Sequence, residues 1–199
     1  MKRILLACFI ALSFQLSAQH QTLLQNLDVI GAFGGPFVEI GSINGQVGAD
    51  VGGGGALILN NFFIGGYGQG TDYPEFEITD GEDAGKYNIN LGHGGFWLGY
   101  SPWNDKLFHL YTSARLGWGR ARLRQDKDTF FSDRVFVATP EVGFEVNITQ
   151  FMKIGFTGGY RFVTGVDSLP GLQPEDFNSP VGSITFRFGG FGDSGSWGW

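Results

Sequence analysis

Two groupings of charged residues carry most of the chemistry open to this 199-residue chain. The first is a set of acids and bases scattered through otherwise apolar segments: Glu39, Asp50, Glu141 and Glu145 against Arg115, Lys153, Arg161 and Arg187. Enclosed together, four carboxylates and four cations neutralise one another, whereas each left unpaired in an interior costs several kcal/mol. Such a set fills a lumen with ion pairs, or gates an ion path if space stays open between them. The second grouping is Arg120-Ala121-Arg122-Leu123-Arg124, in which the period of a strand puts three guanidinium groups on one face. The guanidinium fork matches phosphate oxygens bidentately, so this face is suited to anions.

Other groupings are weaker. His93 and His109, with Ser113 and Glu141 or Glu145, contain the residue types of a hydrolytic triad. His109 and Ser113 share a face but stand four residues apart, about 13 Å along a strand and beyond hydrogen-bond reach. No catalytic residues are assigned. Asp72, Glu75, Glu77, Asp80, Glu82 and Asp83 crowd the segment before Lys86, yet Asp80-Gly81-Glu82-Asp83 lacks calcium-loop spacing, and the segment reads as a solvated acidic loop. The glycine-rich stretches carry no Gly-x-x-x-x-Gly-Lys-Ser/Thr sequence. Neither a metal nor a cofactor is expected.

These residues need elements to position them, and the first element is an address. Lys2 and Arg3, an unbroken apolar stretch from Ile4 to Phe14, and Ser17-Ala18 before Gln19 make residues 1–18 a secretory signal peptide. Its removal takes Cys8, leaving no thiol for disulfides, zinc-thiolate sites or nucleophilic catalysis. It also takes two of the 13 basic residues, leaving 11 against 19 acidic ones, so nucleic acid is not an expected partner. No run of 18 apolar residues could span a bilayer as a helix.

Past residue 27 helical periodicity is absent, and Val, Ile, Phe, Tyr and Thr alternate with Gly and polar residues. Eight strands are predicted near 28–41, 46–59, 62–73, 86–100, 108–124, 134–148, 151–164 and 180–191. Tight turns at Asn60-Asn61, Ser101 to Lys106 and Thr149-Gln150 alternate with longer polar connections after strands three, five and seven; the first connection, Ser42 to Gly45, is short. In strand five Phe108, Leu110, Thr112, Ala114, Leu116 and Trp118 oppose His109, Tyr111, Ser113, Arg115 and Gly117. Ten steps at the tilt of a barrel strand climb about 25 Å, the height of a lipid-facing band. Strands six, seven and eight alternate in the same way, with Ile184, Phe186 and Phe188 against Ser183, Thr185 and Arg187 in the last. The first four strands are less legible, because 20 of the 34 glycines lie between Gly31 and Gly99. Gly34-Gly35-Pro36 and Gly92-His93-Gly94-Gly95 read as bulges that flip the register.

Signal peptide, strand number, turn alternation and the aromatic strand Gly182-Ser183-Ile184-Thr185-Phe186-Arg187-Phe188 together resemble the small eight-stranded outer-membrane β-barrels of Gram-negative bacteria, the OmpA/OmpX-like group. The resemblance covers nearly the whole mature chain and implies an all-β, antiparallel up-and-down transmembrane barrel over residues 19–191, with both termini in the periplasm and a short tail over 192–199. It implies residence in the cell outer membrane, contact with its lipid, and delivery by the barrel-assembly machinery through the last strand. The departure is that eleven residues follow Phe188. On this frame Arg120, Arg122 and Arg124 lie just beyond Trp118 at the loop end, where they would meet lipopolysaccharide phosphates. The expected role is non-enzymatic: envelope structure, or loop contacts with lipopolysaccharide or another envelope protein. The alternatives are a narrow channel for small apolar or ionic solutes and a soluble, lipocalin-like ligand binder with the facing inverted.

Overall fold

The computed structural model describes residues 28–78, 85–125 and 128–192. The leader 1–18, the acidic residues Asp80, Glu82 and Asp83, and Trp197 and Trp199 of the tail lie outside them. Eight strands follow one another: β1 (Val29–Ile43), β2 (Gln46–Leu59), β3 (Phe62–Ile78), β4 (Gly85–Tyr100), β5 (Phe108–Gln125), β6 (Asp128–Thr149), β7 (Met152–Thr164) and β8 (Ser179–Gly190), with one helical turn, α1 (Pro174–Phe177), before the last. Each pairs antiparallel with the next, and β1 closes on β8, so the sheet has no edge left unpaired.

Closure makes the period of two decide everything about placement, because alternate residues face in or out. On β7 Lys153, Gly155, Arg161 and Val163 are buried, while Phe156, Tyr160 and Phe162 are exposed. On β5 His109, Tyr111, Ser113 and Arg115 are buried, and Phe108, Leu110 and Trp118 point away. On β8 Ser183, Thr185 and Arg187 face in, and Ile184 and Phe188 face out, as the sequence predicts. From the terminus end to Trp118 the wall is therefore apolar outside, and the charged residues of these strands face in.

Two expectations are corrected. The glycine-rich segments keep their register: β1 pairs with β2 without a shift from Gly31 to Ile43, and β4 pairs with both neighbours without one at Gly92 to Gly95. Pro36 sits outward, and the ladder passes from Gly34↔Phe188 to Phe37↔Thr185, stepping over the missing donor in register. Gly35 is needed there because a Cβ would run into the carbonyl oxygen of Phe186. The second correction concerns the long connections. β3 runs to Ile78 and β6 starts at Asp128, so β5 and β6 are joined through 126–127 alone. Their outward residues turn polar while their inward ones stay apolar, so the hairpins continue above the band rather than dissolving into loops.

The first hairpin turn is set by Asn44 and Gly45, both at positive φ, the backbone that a two-residue turn between twisted strands requires. The interior is layered. At the loop end Ile43, Tyr87, Ile89, Leu91, Leu123, Val135, Val137 and Val163 form an aliphatic core. The β7–β8 connection folds over it, burying Val166, Leu169, Leu172 and Phe177. Asp133 holds this cap by accepting from the amides of Asp167 and Ser168 at 2.8 and 2.7 Å. At the terminus end Phe33, Phe37, Phe63, Tyr67, Trp97, Tyr111 and Phe191 make an aromatic core.

Candidate functional site

Between the two apolar cores lies a layer of charge. Glu39 on β1, Asp50 on β2, Arg115 on β5, Glu141 on β6 and Arg161 on β7 are all buried. Closure carries them from distant parts of the chain onto one level. Arg115 Nη2 donates to Glu39 Oε2 at 2.5 Å and lies 3.0 Å from Glu141 Oε1. Arg161 Nη1 reaches Glu39 Oε1 at 3.2 Å and Asp50 Oδ2 at 2.7 Å. Both guanidinium groups thus share Glu39, and each takes a second carboxylate.

Neutral residues finish the coordination that charge alone leaves open. Ser183 and Thr157 donate to Glu141 Oε1 at 2.6 and 3.1 Å, and Ser113 donates to its Oε2 at 3.1 Å. Gln69 Oε1 accepts from Arg115 Nη1 at 3.2 Å. Arg115 also lies 4.6 Å over the ring of Phe37, which joins the ionic layer to the aromatic one. In the sequence Ser113 stands among the residue types of a hydrolytic grouping and Ser183 and Thr157 on the polar faces of their strands, whereas Gln69, in a glycine-rich strand, carried no such signal.

The remaining charges sit nearer the terminus end. Arg187 Nη1 donates to Glu145 Oε2 at 2.6 Å, with His109 Nε2 3.6 Å from the same oxygen. The Arg187 guanidinium is packed among rings, 3.7 Å from the centroid of Phe33 and 4.9 Å from that of Phe63. Lys153 donates to the Asn104 carbonyl at 3.0 Å and lies 4.5 Å over Phe191. His109 Nδ1 lies 3.0 Å from the Lys106 carbonyl, and Ser113 hydrogen-bonds Glu141, so the two are engaged with different partners. His93 Nδ1 pairs with the Tyr67 hydroxyl at 2.9 Å. In the short turn below, exposed Asp105 is held under the usual carboxylate range by its hydrogen bond with Lys106.

The second region is outside. Trp118 on β5 and Phe136 on β6 are direct cross-strand partners with ring centroids 5.4 Å apart. One outward step toward the loop end, Arg120 pairs directly with Arg134, and both are exposed. Arg122 follows opposite Ser132, and its Nη1 lies 3.4 Å from Asn90 Oδ1 on β4. Arg124 continues the row, opposite Asn88 on the β4 side. Arg134 is the member that sequence reasoning missed, although it shares the parity of Phe136. Among the described residues no cluster of His, Cys, Asp and Glu is arranged to hold a metal.

No protein-family model matches the sequence, and no curated protein matches it. Solved structures do match the fold. The crystal structure of Neisserial surface protein A (NspA) aligns with a TM-score of 0.57 at 12% identity, covering 80% of this chain and 94% of that one. Ail, the attachment invasion locus protein of Yersinia pestis, aligns alone (TM-score 0.39, 13% identity, 80% of this chain and 95% of that one) and in complex with the heparin analogue sucrose octasulfate (0.38, 16%, 80% and 95%). Eight strands in chain order, β1 closed on β8, and the alignment with NspA give this chain the fold of the small eight-stranded outer-membrane β-barrels, the OmpA/OmpX-like architecture that its sequence resembles.

Proposed function

We propose that the protein is an integral outer-membrane barrel without enzymatic activity that works through its outer wall and loop end rather than through its lumen. The observation that carries this is the division of the wall: large apolar side chains such as Phe62, Phe96, Val142 and Phe162 are exposed while Glu39, Arg115, Glu145 and Arg161 are buried. A soluble barrel with a ligand cavity needs the opposite facing. A bilayer accepts this one, because closure satisfies the backbone and the outward band meets hydrocarbon.

The layered interior supports a structural role for the eight inward charges. Glu39, Asp50, Arg115, Glu141 and Arg161 lie between the loop-end and aromatic cores and the Arg187–Glu145 pair lies among the aromatic rings, so an ion crossing the lumen would have to leave water and pass packed side chains at every level. A narrow channel for ions is disfavoured for that reason, and one for apolar solutes by the buried layer of ion pairs that it would have to part. The row Arg120, Arg122 and Arg124 stands just past the Trp118–Phe136 pair, where outer-leaflet phosphate would be met, and lipopolysaccharide is its proposed partner. Residues 1–18 act as leader, residues 19–191 as barrel and 192–199 as tail, and the barrel-assembly machinery reads the aromatic stretch of β8 up to Phe188. Loop contacts with another envelope protein fit the same placement.

Electrophoresis of the outer-membrane fraction with and without boiling tests the location. A band there whose mobility shifts on heating is expected; a band in the soluble fraction overturns the reading. Planar-bilayer recording of the same material tests the closed lumen, with no unitary conductance expected and steady openings contrary to it. Replacing Arg120, Arg122 and Arg124 with Gln should reduce co-purified lipopolysaccharide while heat-modifiability persists, and unchanged co-purification removes the arginine row from the proposal.

A further inference from the structure

Among the described residues, the central layer of the lumen does not balance its charges. Three acids, Glu39, Asp50 and Glu141, face two guanidinium groups, Arg115 and Arg161, and all five are buried. The opposite surplus lies at the terminus end, where Arg187 pairs with Glu145 and Lys153 is within electrostatic reach of the same carboxylate. A negative charge without a partner is costly in such an interior, so the layer needs one more positive charge. His93 on β4 does not provide it: its Nδ1 pairs with the hydroxyl of Tyr67 on β3 at 2.9 Å, and it bonds no carboxylate among the described residues. β8 offers hydroxyls, those of Ser179 and Ser183.

Glu39 and Asp50 stand apart from the other acids. They are direct cross-strand partners on β1 and β2, both facing in, at 0% and 1% exposure. Both approach one nitrogen, Arg161 Nη1, at 3.2 and 2.7 Å, and their side chains are in hydrogen-bonding contact with each other. Ionised carboxylates only accept, so two of them cannot bond, whereas a carboxyl that keeps its proton is both donor and acceptor. Two carboxyls held together away from water share a single proton in this way. Glu39 is ion-paired with both guanidinium groups, at 2.5 Å to Arg115 and 3.2 Å to Arg161, and Asp50 with Arg161, so the negative charge settles on Glu39 and the proton on Asp50. The third acid, Glu141, accepts from Ser183, Thr157 and Ser113, the surroundings of an ionised carboxylate.

We infer that Glu39 and Asp50 form a binding site for one proton, carried by Asp50 and donated to Glu39. The layer then holds the anions Glu39 and Glu141 and the cations Arg115 and Arg161 around one neutral acid. Asp50 accepts from Arg161 and donates to Glu39, which satisfies both sides of its carboxyl. A metal cation in the same place would need a shell of oxygen ligands, and no group of acids and imidazoles among the described residues is arranged to supply one. All these groups face the lumen, so the site goes beyond the reading of the outer wall and does not depend on it.

The test uses wild type, D50N and, as a control on a buried acid outside the layer, E145Q, all refolded in detergent at neutral pH with heat-modifiability reporting folding. Infrared spectroscopy reads the proton directly, because a protonated carboxyl has a carbonyl stretch that an ionised one lacks and that shifts in heavy water. Wild type and E145Q should show it and D50N should not. Its absence from wild type overturns the site, and its persistence in D50N or loss in E145Q overturns the assignment to Asp50. Should D50N fail to refold, wild type grown with carboxyl-labelled aspartate decides the same point: the band should move with the label, and a band that stays overturns the assignment. Urea titration reads the consequence. Asn keeps an acceptor for Arg161 and a donor for Glu39, so the unfolding constant of D50N should stay within about threefold of wild type, as for a neutral substitution. E145Q, which leaves Arg187 without its carboxylate, should raise it about a hundredfold or more. An equal rise in D50N means that Asp50 is an anion and overturns the site. Exchanging sodium and potassium for choline should change nothing, and a loss of stability on that exchange puts a metal cation in the place of the proton and overturns it.

Discussion

Arg161 Nε donates to the backbone carbonyl of Phe177 at 3.2 Å, so the residue that binds Glu39 and Asp50 also holds down the loop-end cap. Its Nη2 adds the Ser42 carbonyl at 2.8 Å, tying in the β1–β2 hairpin. One guanidinium thereby couples the ionic layer to the roof above it.

Replacing Arg161 should therefore have two effects. Arg161→Gln leaves Glu39 and Asp50 short of a buried counter-charge, a loss on the order of 3–5 kcal/mol in the stability of the refolded barrel. It also frees the Phe177 carbonyl, and limited proteolysis should then cut between 165 and 178, where wild type resists. Phe177→Ala, which leaves the ion pairs in place, should open the same segment at about 3–5 kcal/mol without disturbing the charge layer. Cleavage of the Phe177 variant with wild-type resistance in the Arg161 variant would separate the cap from Arg161.

Val142 distinguishes lipid from water as the outer solvent. It is 57% exposed on β6, and its neighbours Pro140 and Phe144 on that face point the same way. On a soluble barrel an exposed Val→Arg change is worth about 0.5 kcal/mol or less. In a bilayer, Arg near the midplane costs about 2–4 kcal/mol. Urea titration of Val142→Arg refolded into vesicles should show the larger loss, and a loss within error of zero would return the soluble reading.

How far these relationships could be read in the chain depended on side chains. The facing of β5 to β8 was legible because bulky apolar and charged groups alternate along them, although β6 begins at Asp128, six residues before the expected start. β1 to β4 were not, since glycine on both faces erases the period of two, and the bulges expected at Gly34 and Gly92 were inferred from composition where the register is in fact unbroken. The first part of β6, from Asp128 to Asp133, read as connection rather than strand, because the inward residues beyond Trp118, Ala121, Leu123, Val135 and Val137, were not read as a second core. Val166, Leu169, Leu172 and Phe177 have no strand or helix period, so nothing marked them as a cap. The inward charges were legible as a set but not as pairs: Arg115 and Glu39 are 76 residues apart, and only closure of β1 on β8 brings them together.

Glycines that look alike in the sequence should behave oppositely on substitution. Gly35→Ala places a methyl group against the Phe186 carbonyl at the β1–β8 seam. That variant should refold poorly, or lose on the order of 2 kcal/mol or more through backbone displacement. Gly68→Ala meets open space and restricts the unfolded chain, so it should be neutral or gain about 0.4–1 kcal/mol. Urea midpoints of the two variants in the same vesicles measure the contrast, and a similar loss in both would mean that the outward wall is packed by something intrinsic to the barrel.

The terminus end offers a way to measure what aromatic rings contribute around a buried cation. Phe191 follows β8, turns into the lumen and is buried, with its ring 5.4 Å from the Arg187 guanidinium and 4.5 Å from the Lys153 ammonium. Phe191→Leu keeps most of the apolar volume but removes the ring face, so its cost isolates the cation–ring attraction, about 0.5–2 kcal/mol where the cation is desolvated. Phe191→Ala also opens a cavity and should cost about 3–5 kcal/mol. If Leu proves as good as Phe while Ala does not, the Phe191 ring serves as filler and Arg187 is held by Glu145 and by the rings of Phe33 and Phe63. If Leu is intermediate, and Arg187→Met removes the difference between Phe and Leu, the cage binds the cation, and the seal at this end depends on charge as well as packing.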